Sequence, residues 1–87
     1  ETGLYVENYP NPFTQSTSIV YQLKNPCQVV LSVYDALGIE VKLQFNEFLE
    51  SGEHKYNFDG SNLAPGIYFY TLQAGTFTST KKMILMK

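Results

Sequence analysis

The 87-residue sequence has no arginine and no tryptophan, and it has one cysteine and one histidine. A single cysteine excludes an internal disulfide and a multi-cysteine zinc site, and a single histidine excludes a histidine cluster. Because it has no arginine and carries a net charge of −2, the chain lacks the clustered Arg and Lys with which proteins contact phosphates and guanine. The composition therefore predicts no metal, no cofactor and no nucleic-acid partner.

Long apolar runs are also absent. No segment approaches the roughly 18–20 consecutive apolar residues that are needed to span a bilayer. Residues 1–4 have neither the basic region nor the apolar run of a signal peptide. Residues 1–3 are open to two interpretations, native sequence or a remnant of the expression vector. We therefore expect the chain to be a piece of a longer protein.

The sequence is instead rich in apolar and aromatic residues, at 44% and 15% respectively. This is too apolar for a disordered tail. A chain of this length has room for one hydrophobic core only, so we expect residues 1–87 to form a single domain.

Turn-forming dipeptides recur along the chain, and the residues between them alternate with a period of two. β-Branched and aromatic residues dominate these segments, as they do in half-buried strands, and no segment has a helical stripe. Seven strands are predicted, at residues 3–7, 17–24, 27–34, 39–45, 53–59, 66–74 and 77–86. The predicted fold is all-β, a seven-stranded antiparallel immunoglobulin-like β-sandwich.

One local motif supports this fold. The segment Leu63-Ala64-Pro65-Gly66-Ile67-Tyr68 resembles the corner that leads into a central strand of fibronectin-type and immunoglobulin-type sandwiches. In that corner Leu63 would cover the end of the core, and Pro65-Gly66 would turn the chain between the sheets. The Tyr68 hydroxyl would then donate a hydrogen bond back to the corner backbone.

The reactive side chains form no catalytic pattern. Asp35 and Asp59 precede the turn glycines Gly38 and Gly60, where a carboxylate ordinarily accepts backbone N–H groups. His54 has no second His or Cys near it in the sequence and is interpreted as a solvated strand residue. No nucleophile elbow or glycine-rich phosphate loop is present. We therefore expect neither an enzyme nor a small-molecule substrate.

The aromatic residues allow two interpretations. Six of them fall outside the main core alternation and are expected to be partly exposed: Tyr5, Tyr9, Tyr34, Phe48, Phe69 and Phe77. They would either line a sugar-binding face or cover the edges and ends of a small sandwich. The second interpretation is favoured because there is no tryptophan and no obvious planar triplet.

Both ends of the chain carry distinctive segments. Near the start, Pro10 and Pro12 remove two backbone donors and predict an extended segment outside the sheet, with Phe13 anchoring it in the core. At the end, half of the lysines lie on a last strand with four consecutive apolar residues. That strand is either a core strand whose lysines protect an edge or an accessible handle for strand addition or a receptor.

Taken in order, these segments resemble the type A C-terminal sorting domain of the Bacteroidetes type IX secretion system. The resemblance extends from about residue 5 to Lys87 and rests on ordered motifs rather than on one short pattern. They are the Asn8–Phe13 segment, Val33–Val41 with Asp35 and Gly38, Gly52–His54, Phe58-Asp59-Gly60, Leu63–Tyr70, Leu72–Gly75 and Lys81–Leu85. Positions that this family often fills with Arg are Ile39, Thr71 and Gln73 here, which leaves only Lys for an electrostatic contact.

The resemblance implies a sorting signal rather than a catalytic activity. Such domains follow a cargo domain that reaches the periplasm, and the outer-membrane translocon and its shuttle protein recognise them. A cell-surface peptidase of the sortase type then usually removes them, and the cargo stays at the surface or outside the cell. Cleavage is expected N-terminal to the domain.

The recognised element is hypothesised to be the C-terminal strand, together with the neighbouring Gly66–Gly75 strand. The residues assigned to it are Lys81, Lys82, Met83, Ile84, Leu85, Met86 and Lys87. Two alternatives remain open at this point, a carbohydrate-binding module of a secreted hydrolase and a passive spacer between catalytic domains.

Overall fold

The computed structural model describes residues 5–87, except for the side chain of Lys42. The start of the first predicted strand and the interpretation of residues 1–3 therefore lie outside the described residues. Seven strands are present: β1 (Tyr5–Tyr9), β2 (Ser16–Leu23), β3 (Cys27–Asp35), β4 (Glu40–Leu49), β5 (Gly52–Asp59), β6 (Gly66–Ala74) and β7 (Phe77–Leu85). Phe13 adds a single-residue bridge to Leu85, an eighth β segment that the sequence pattern does not predict. The all-β class is confirmed.

The strands form two antiparallel sheets. One has three strands in the order β1-β2-β5, and the other has four in the order β4-β3-β6-β7. The chain crosses from one sheet to the other three times, from β2 to β3, from β4 to β5 and from β5 to β6. No helix that could cross a bilayer occurs within residues 5–87.

The core lies between the two sheets and is built from alternate residues of their strands. Ile19, Leu31, Leu72 and Met83 are all 0% exposed, and they come from four different strands. Phe13 is 2% exposed and packs edge-on against Phe58, with ring centroids 6.3 Å apart. The predicted anchoring of the proline segment by Phe13 is therefore confirmed.

Strand β4 departs from the predicted pattern. The sequence predicts this strand over residues 39–45, but it continues to Leu49. The register of the β3–β4 pair shifts twice, so that Leu43 lies opposite Ser32, and Leu43 is 48% exposed. A one-residue shift of register moves the side chains that follow it to the other face of the sheet, and a uniform alternation in the sequence cannot reveal this.

The turns are held as the sequence predicts. The Asp35 carboxylate accepts hydrogen bonds from the backbone N–H groups of Leu37 and Ile39, at 2.9 and 3.0 Å, and Gly38 closes that turn with a φ of 85°. At the corner after β5, the buried Gly60 approaches Phe13 closely, since an added Cβ would lie 3.1 Å from the Phe13 ring. A larger residue at Gly60 would therefore displace a core aromatic side chain.

Candidate recognition surface at the C-terminal strand

Strand β7 forms one edge of the four-stranded sheet. It pairs with β6 over nine positions, from Gly66 opposite Leu85 to Ala74 opposite Phe77, with no shift of register. Its Thr residues suit an extended strand, and the glycine-containing turn at Gly75, with a φ of 61°, reverses the chain directly after β6. The result is a regular edge that faces away from β6.

The side chains of β7 divide between the core and the solvent. Met83 and Leu85 are 0% and 1% exposed, while Ile84 is half-buried. The expectation of an accessible apolar tip from Met83 to Met86 is therefore wrong for Met83 and Leu85. Alternate residues of an edge strand still face the core. Of the four apolar residues Met83–Met86, only Met86, directly after the end of β7, is strongly exposed, at 54%.

The segment between β1 and β2 covers the outer edge of β7 near its end. The Asn11 side chain donates to the carbonyl of Lys82 at 3.1 Å and accepts from the N–H of Ile84 at 3.0 Å. The Phe13 N–H donates to the carbonyl of Ile84 at 2.9 Å, and its carbonyl accepts from the N–H of Met86 at 2.8 Å. We call the segment Asn11–Phe13 the edge clamp, because it occupies the place of a further strand beside Lys82–Met86.

A polar network behind the edge clamp connects it to the sheets. The Asn8 side-chain oxygen accepts a hydrogen bond from the Tyr70 hydroxyl at 3.0 Å, and its NH₂ group donates to the Thr17 hydroxyl at 3.3 Å. Thr17, which is 1% exposed, in turn donates to the carbonyl of Pro10 at 2.7 Å. Burial, together with the charge of Glu7, raises the pKa of Tyr70 to about 12. The Tyr70 hydroxyl is therefore a neutral donor at physiological pH.

The Tyr9-Pro10 and Asn11-Pro12 peptide bonds that frame this segment are both cis. Pro10 and Pro12 have exposed side chains, so they shape the loop without contributing to the core. Sequence reasoning assigned the segment to an extended loop but did not identify Asn11 or Thr17 as its main hydrogen-bonding residues. The dipeptide Asn11-Pro12 was the available signal, because Asn before Pro commonly marks a turn.

The last residue of the chain is held against the corner before β6. The Lys87 ammonium donates to the carbonyls of Ser61 and Leu63, at 2.8 and 2.6 Å. Hydrogen bonds from Ser61 hold the pKa of Asp59 below its usual range, and the nearby charge of Lys87 acts in the same direction. Of the three terminal lysines, Lys87 is thus engaged with the domain body, while Lys81 and Lys82 are exposed on β7.

The corner itself has the predicted form. The Tyr68 hydroxyl donates to the carbonyl of Ala64 at 2.7 Å, four residues earlier. Leu63 packs against the core as a partly buried residue, and Pro65 and Gly66 are exposed where β6 begins. The corner fixes the start of β6 and therefore the strand to which β7 pairs.

A second surface feature lies at the opposite side, between the edges of β4 and β5. A groove of about 300 Å³ is lined mainly by aromatic and polar side chains, among them Tyr21, Phe45, His54 and Tyr56. The His54 ring stacks on Tyr21 with centroids 5.5 Å apart, and one of its nitrogens lies 2.8 Å from the carbonyl oxygen of Glu50. His54 is therefore half-buried rather than a freely solvated strand residue. Burial and the charge of Glu47 raise the pKa of Tyr21 to about 12.

The six aromatics predicted to be partly exposed do not form one surface, although the half-buried Tyr34 and Phe69 lie opposite each other on β3 and β6. Tyr5, Tyr9, Phe48 and Phe77 are between 41% and 77% exposed. Tyr5 and Tyr9 belong to the three-stranded sheet, and Phe48 and Phe77 to the other. Within the described part of the chain, no group of three or more His, Cys, Asp or Glu side chains could hold a metal ion.

These features define a small two-sheet β module whose last strand is an edge strand, covered over its C-terminal half. The chain belongs to the family of secretion system C-terminal sorting domains, because that family's model matches residues 7–86. This confirms the resemblance to the type IX sorting domains. A search of curated protein sequences found no match to the chain.

Proposed function

We propose that this domain is a secretion signal that directs an attached cargo protein across the outer membrane through the type IX translocon. The observation that carries the proposal is the family match over residues 7–86, which includes nearly the whole fold. The arrangement of β7 supports it, because two lysines stand exposed on a regular edge strand. A signal of this kind needs a recognisable surface and no catalytic site.

The recognised surface in this proposal is smaller than the whole C-terminal segment. Lys81, Lys82 and Met86 are exposed and available to the translocon or its shuttle protein, and Ile84 is available in part. Met83 and Leu85 contribute indirectly, since they are buried in the core and hold β7 in place. The signal is therefore read from the folded domain.

The same proposal covers the route of the cargo. The cargo precedes residue 1, passes through the periplasm and ends at the cell surface or outside the cell. A sortase-type peptidase at the surface removes the domain by cleavage on its N-terminal side. Residues 1–87 then act as one separable unit, because the core is shared between both sheets.

We also assign the domain to the immunoglobulin-like folds. Constant-type immunoglobulin domains have strands A, B, E and D in one sheet and C, F and G in the other. The order β1-β2-β5 corresponds to A-B-E, and β3-β6-β7 corresponds to C-F-G. The difference is that β4 lies beside β3 rather than beside β5. An experimental structure with a different strand order would contradict this assignment.

A reporter fusion tests the proposed function. A fluorescent protein that folds in the periplasm, preceded by a signal peptide and followed by residues 1–87, is expressed in a host with the type IX translocon and in an isogenic strain without it. We expect the reporter at the surface or in the medium only in the first strain. The same reporter without the domain is the control. Retention of the fused reporter in the periplasm of both strains would refute the proposal.

Truncation of the last residues is a less informative test. Removing residues 83–87 removes two core side chains, Met83 and Leu85, and substitutions of such residues with alanine commonly cost about 2–5 kcal/mol each. The two losses together are comparable to the whole stability of a small domain, about 5–15 kcal/mol, so the truncation can unfold it. Loss of export by the truncated cargo would then reflect misfolding as well as loss of the signal.

The carbohydrate-binding alternative finds little support in the surface. A glycan platform needs several aromatic rings on one face, and the exposed aromatics are distributed over both sheets. The rings in the β4–β5 groove stack on one another instead, as Phe45 does with Tyr21 at a centroid distance of 6.5 Å. Binding of the isolated domain to insoluble polysaccharide would favour this alternative.

A further inference from the structure

The two sheets present four outer strand edges, and they differ in their capacity to pair with another chain. The edge of β1 is five residues long, and β4 has two register shifts in its pairing with β3. Short strands and bulges both hinder strand addition. On β5, Glu53 and Lys55 are exposed charged residues of opposite sign. Strands β5 and β7 are the regular edges among the described residues, with eight and nine paired positions and no shift, and on β7 the exposed charges are of one sign.

The edge clamp divides the β7 edge into two halves. In an antiparallel pair, successive residues direct their N–H and C=O groups alternately to one neighbour and to the other side. The edge clamp binds the backbone carbonyl of Lys82, the N–H and carbonyl of Ile84 and the N–H of Met86. The backbone groups of the even-numbered residues therefore point away from β6. By the same alternation, Thr78 and Thr80 direct both backbone groups outward. Among the described residues, no partner covers these groups or the Lys82 N–H.

The chemistry around the open half indicates the kind of chain that would pair there. Lys81 and Lys82 are adjacent in β7 and project to opposite faces of the sheet, and both are exposed. Any strand added beside Thr78–Lys82 would have these two positive charges next to it. Acidic side chains are attracted to such an edge and basic ones are repelled, because charged pairs beside each other favour opposite signs.

We infer that the open half of the β7 edge, Thr78–Lys82, is the site at which an extended acidic segment of a partner protein adds as a strand. This inference rests on the proposed function, since it names the feature of the partner that recognises the sorting domain. The main-chain hydrogen bonds would supply affinity, and the two lysines would supply the preference for acidic sequences. The edge clamp sets the limit of the site, because it already occupies the neighbouring half.

The test uses two substitutions at one outward-facing position. Thr80→Pro removes the outward N–H, whereas Thr80→Val retains it. Both remove the hydroxyl group that lies 3.0 Å from the Thr71 hydroxyl, so that this loss is matched between them. Proline is tolerated on an edge strand where its missing N–H faces outward, so the β6–β7 pairing should persist in both variants.

Each variant is placed in the full-length reporter fusion, and the exported fraction is measured in the host with the type IX translocon. Loss of one paired N–H and disturbance of its neighbours is expected to lower export by about fivefold to tenfold for Thr80→Pro. Thr80→Val should export like the parent fusion. Thermal unfolding of the isolated chains checks that both variants fold. If Thr80→Pro does not fold, Thr78→Pro with Thr78→Val replaces the pair.

A second set of variants tests the preference for an acidic partner. Lys82→Glu is expected to reduce export more than Lys82→Gln does. The double variant Lys81→Glu, Lys82→Glu is expected to reduce export more than either single variant. The thermal midpoint should change little, because exposed charges contribute little to folding. Equal export by Lys82→Glu and Lys82→Gln would overturn the acidic character of the partner.

The remaining outcomes separate this inference from the proposed function. Undiminished export by a folded Thr80→Pro variant would overturn strand addition at β7 but leave the proposed function intact, because the parent fusion is still exported. Failure of the parent fusion itself would refute the proposed function. A parent chain that sediments as a dimer, and becomes a monomer on Thr80→Pro, would identify the occupant as a second copy and would overturn the acidic partner.

Discussion

Two tyrosine hydroxyl groups on neighbouring inward positions of β6 connect the four-stranded sheet to the corner before β6 and to strand β1. Tyr68 donates to the carbonyl of Ala64 at 2.7 Å, and Tyr70 donates to the Asn8 side chain at 3.0 Å. Both side chains are otherwise buried. A buried hydroxyl is stabilising only when its hydrogen bond is made, so each of these two contacts depends on the tyrosine hydroxyl.

The Tyr68 hydroxyl gives a prediction at the residue scale. Tyr68→Phe keeps the ring in the core but leaves the carbonyl of Ala64 without this donor, which should cost about 1 kcal/mol. For a domain of this size, that cost corresponds to a decrease of about 4–8 °C in the thermal midpoint. Circular dichroism during heating measures it. An unchanged midpoint would show that the corner does not depend on the hydroxyl.

At the scale of elements, β7 owes its position to two different partners. Strand β6 supplies the regular backbone pairing, and the edge clamp supplies four further hydrogen bonds on the other side. A β edge that is partly covered is less available for uncontrolled pairing. The division of the edge explains how a domain can keep one half of a strand open without exposing the whole of it.

The edge clamp can be tested by removing its central side chain. Asn11→Ala loses the two solvent-exposed hydrogen bonds to the backbone of Lys82 and Ile84, and we expect about 1 kcal/mol of destabilisation. Hydrogen exchange of the Ile84 amide should become faster, because that amide loses its acceptor. Asn62→Ala, a change at an exposed loop asparagine, is the matched control. Unaltered protection of Ile84 in Asn11→Ala would contradict the assigned role.

At the scale of the whole molecule, burial of tyrosines couples the fold to alkaline pH. The pKa values of Tyr21 and Tyr70 are both raised to about 12, chiefly by burial. Because the folded-state pKa exceeds the ordinary value of about 10, the unfolded chain releases these protons first as the pH rises. The contribution of the two tyrosines to stability is therefore complete below about pH 10 and is lost as the pH rises towards 12.

Urea unfolding at pH 8, 10 and 11 measures this dependence. The free energy of unfolding should fall between pH 10 and 11, by at most about 1.4 kcal/mol per pH unit for each titrating tyrosine. Tyr70→Phe removes one of the two groups and should make the decline shallower, while the lysines contribute equally to both proteins. An identical decline in the parent and in Tyr70→Phe would refute the role of Tyr70.

Much of the fold follows from local sequence features. The alternation of apolar and polar residues predicts the β6 bounds as observed, and those of β2, β3, β5 and β7 to within one residue at each end. The turn carboxylates and the Tyr68 corner act within a few residues of their partners, so their signals are visible in the chain itself. The family was likewise recognisable from ordered short motifs and is confirmed.

The tertiary structure alone decided which parts of β7 are accessible. In the sequence the last strand ends in an apolar segment between lysines. In the structure Met83 and Leu85 face the core, and Lys87 binds the corner before β6. The contacts of Asn11 with Lys82 and Ile84 join positions more than 70 residues apart. Sequence periodicity reports which faces are apolar, but hydrogen bonds between distant segments depend on how the two sheets bring those segments together. For this protein the sequence determined the strands and the family, and the packing of the sheets determined which half of the last strand stays open.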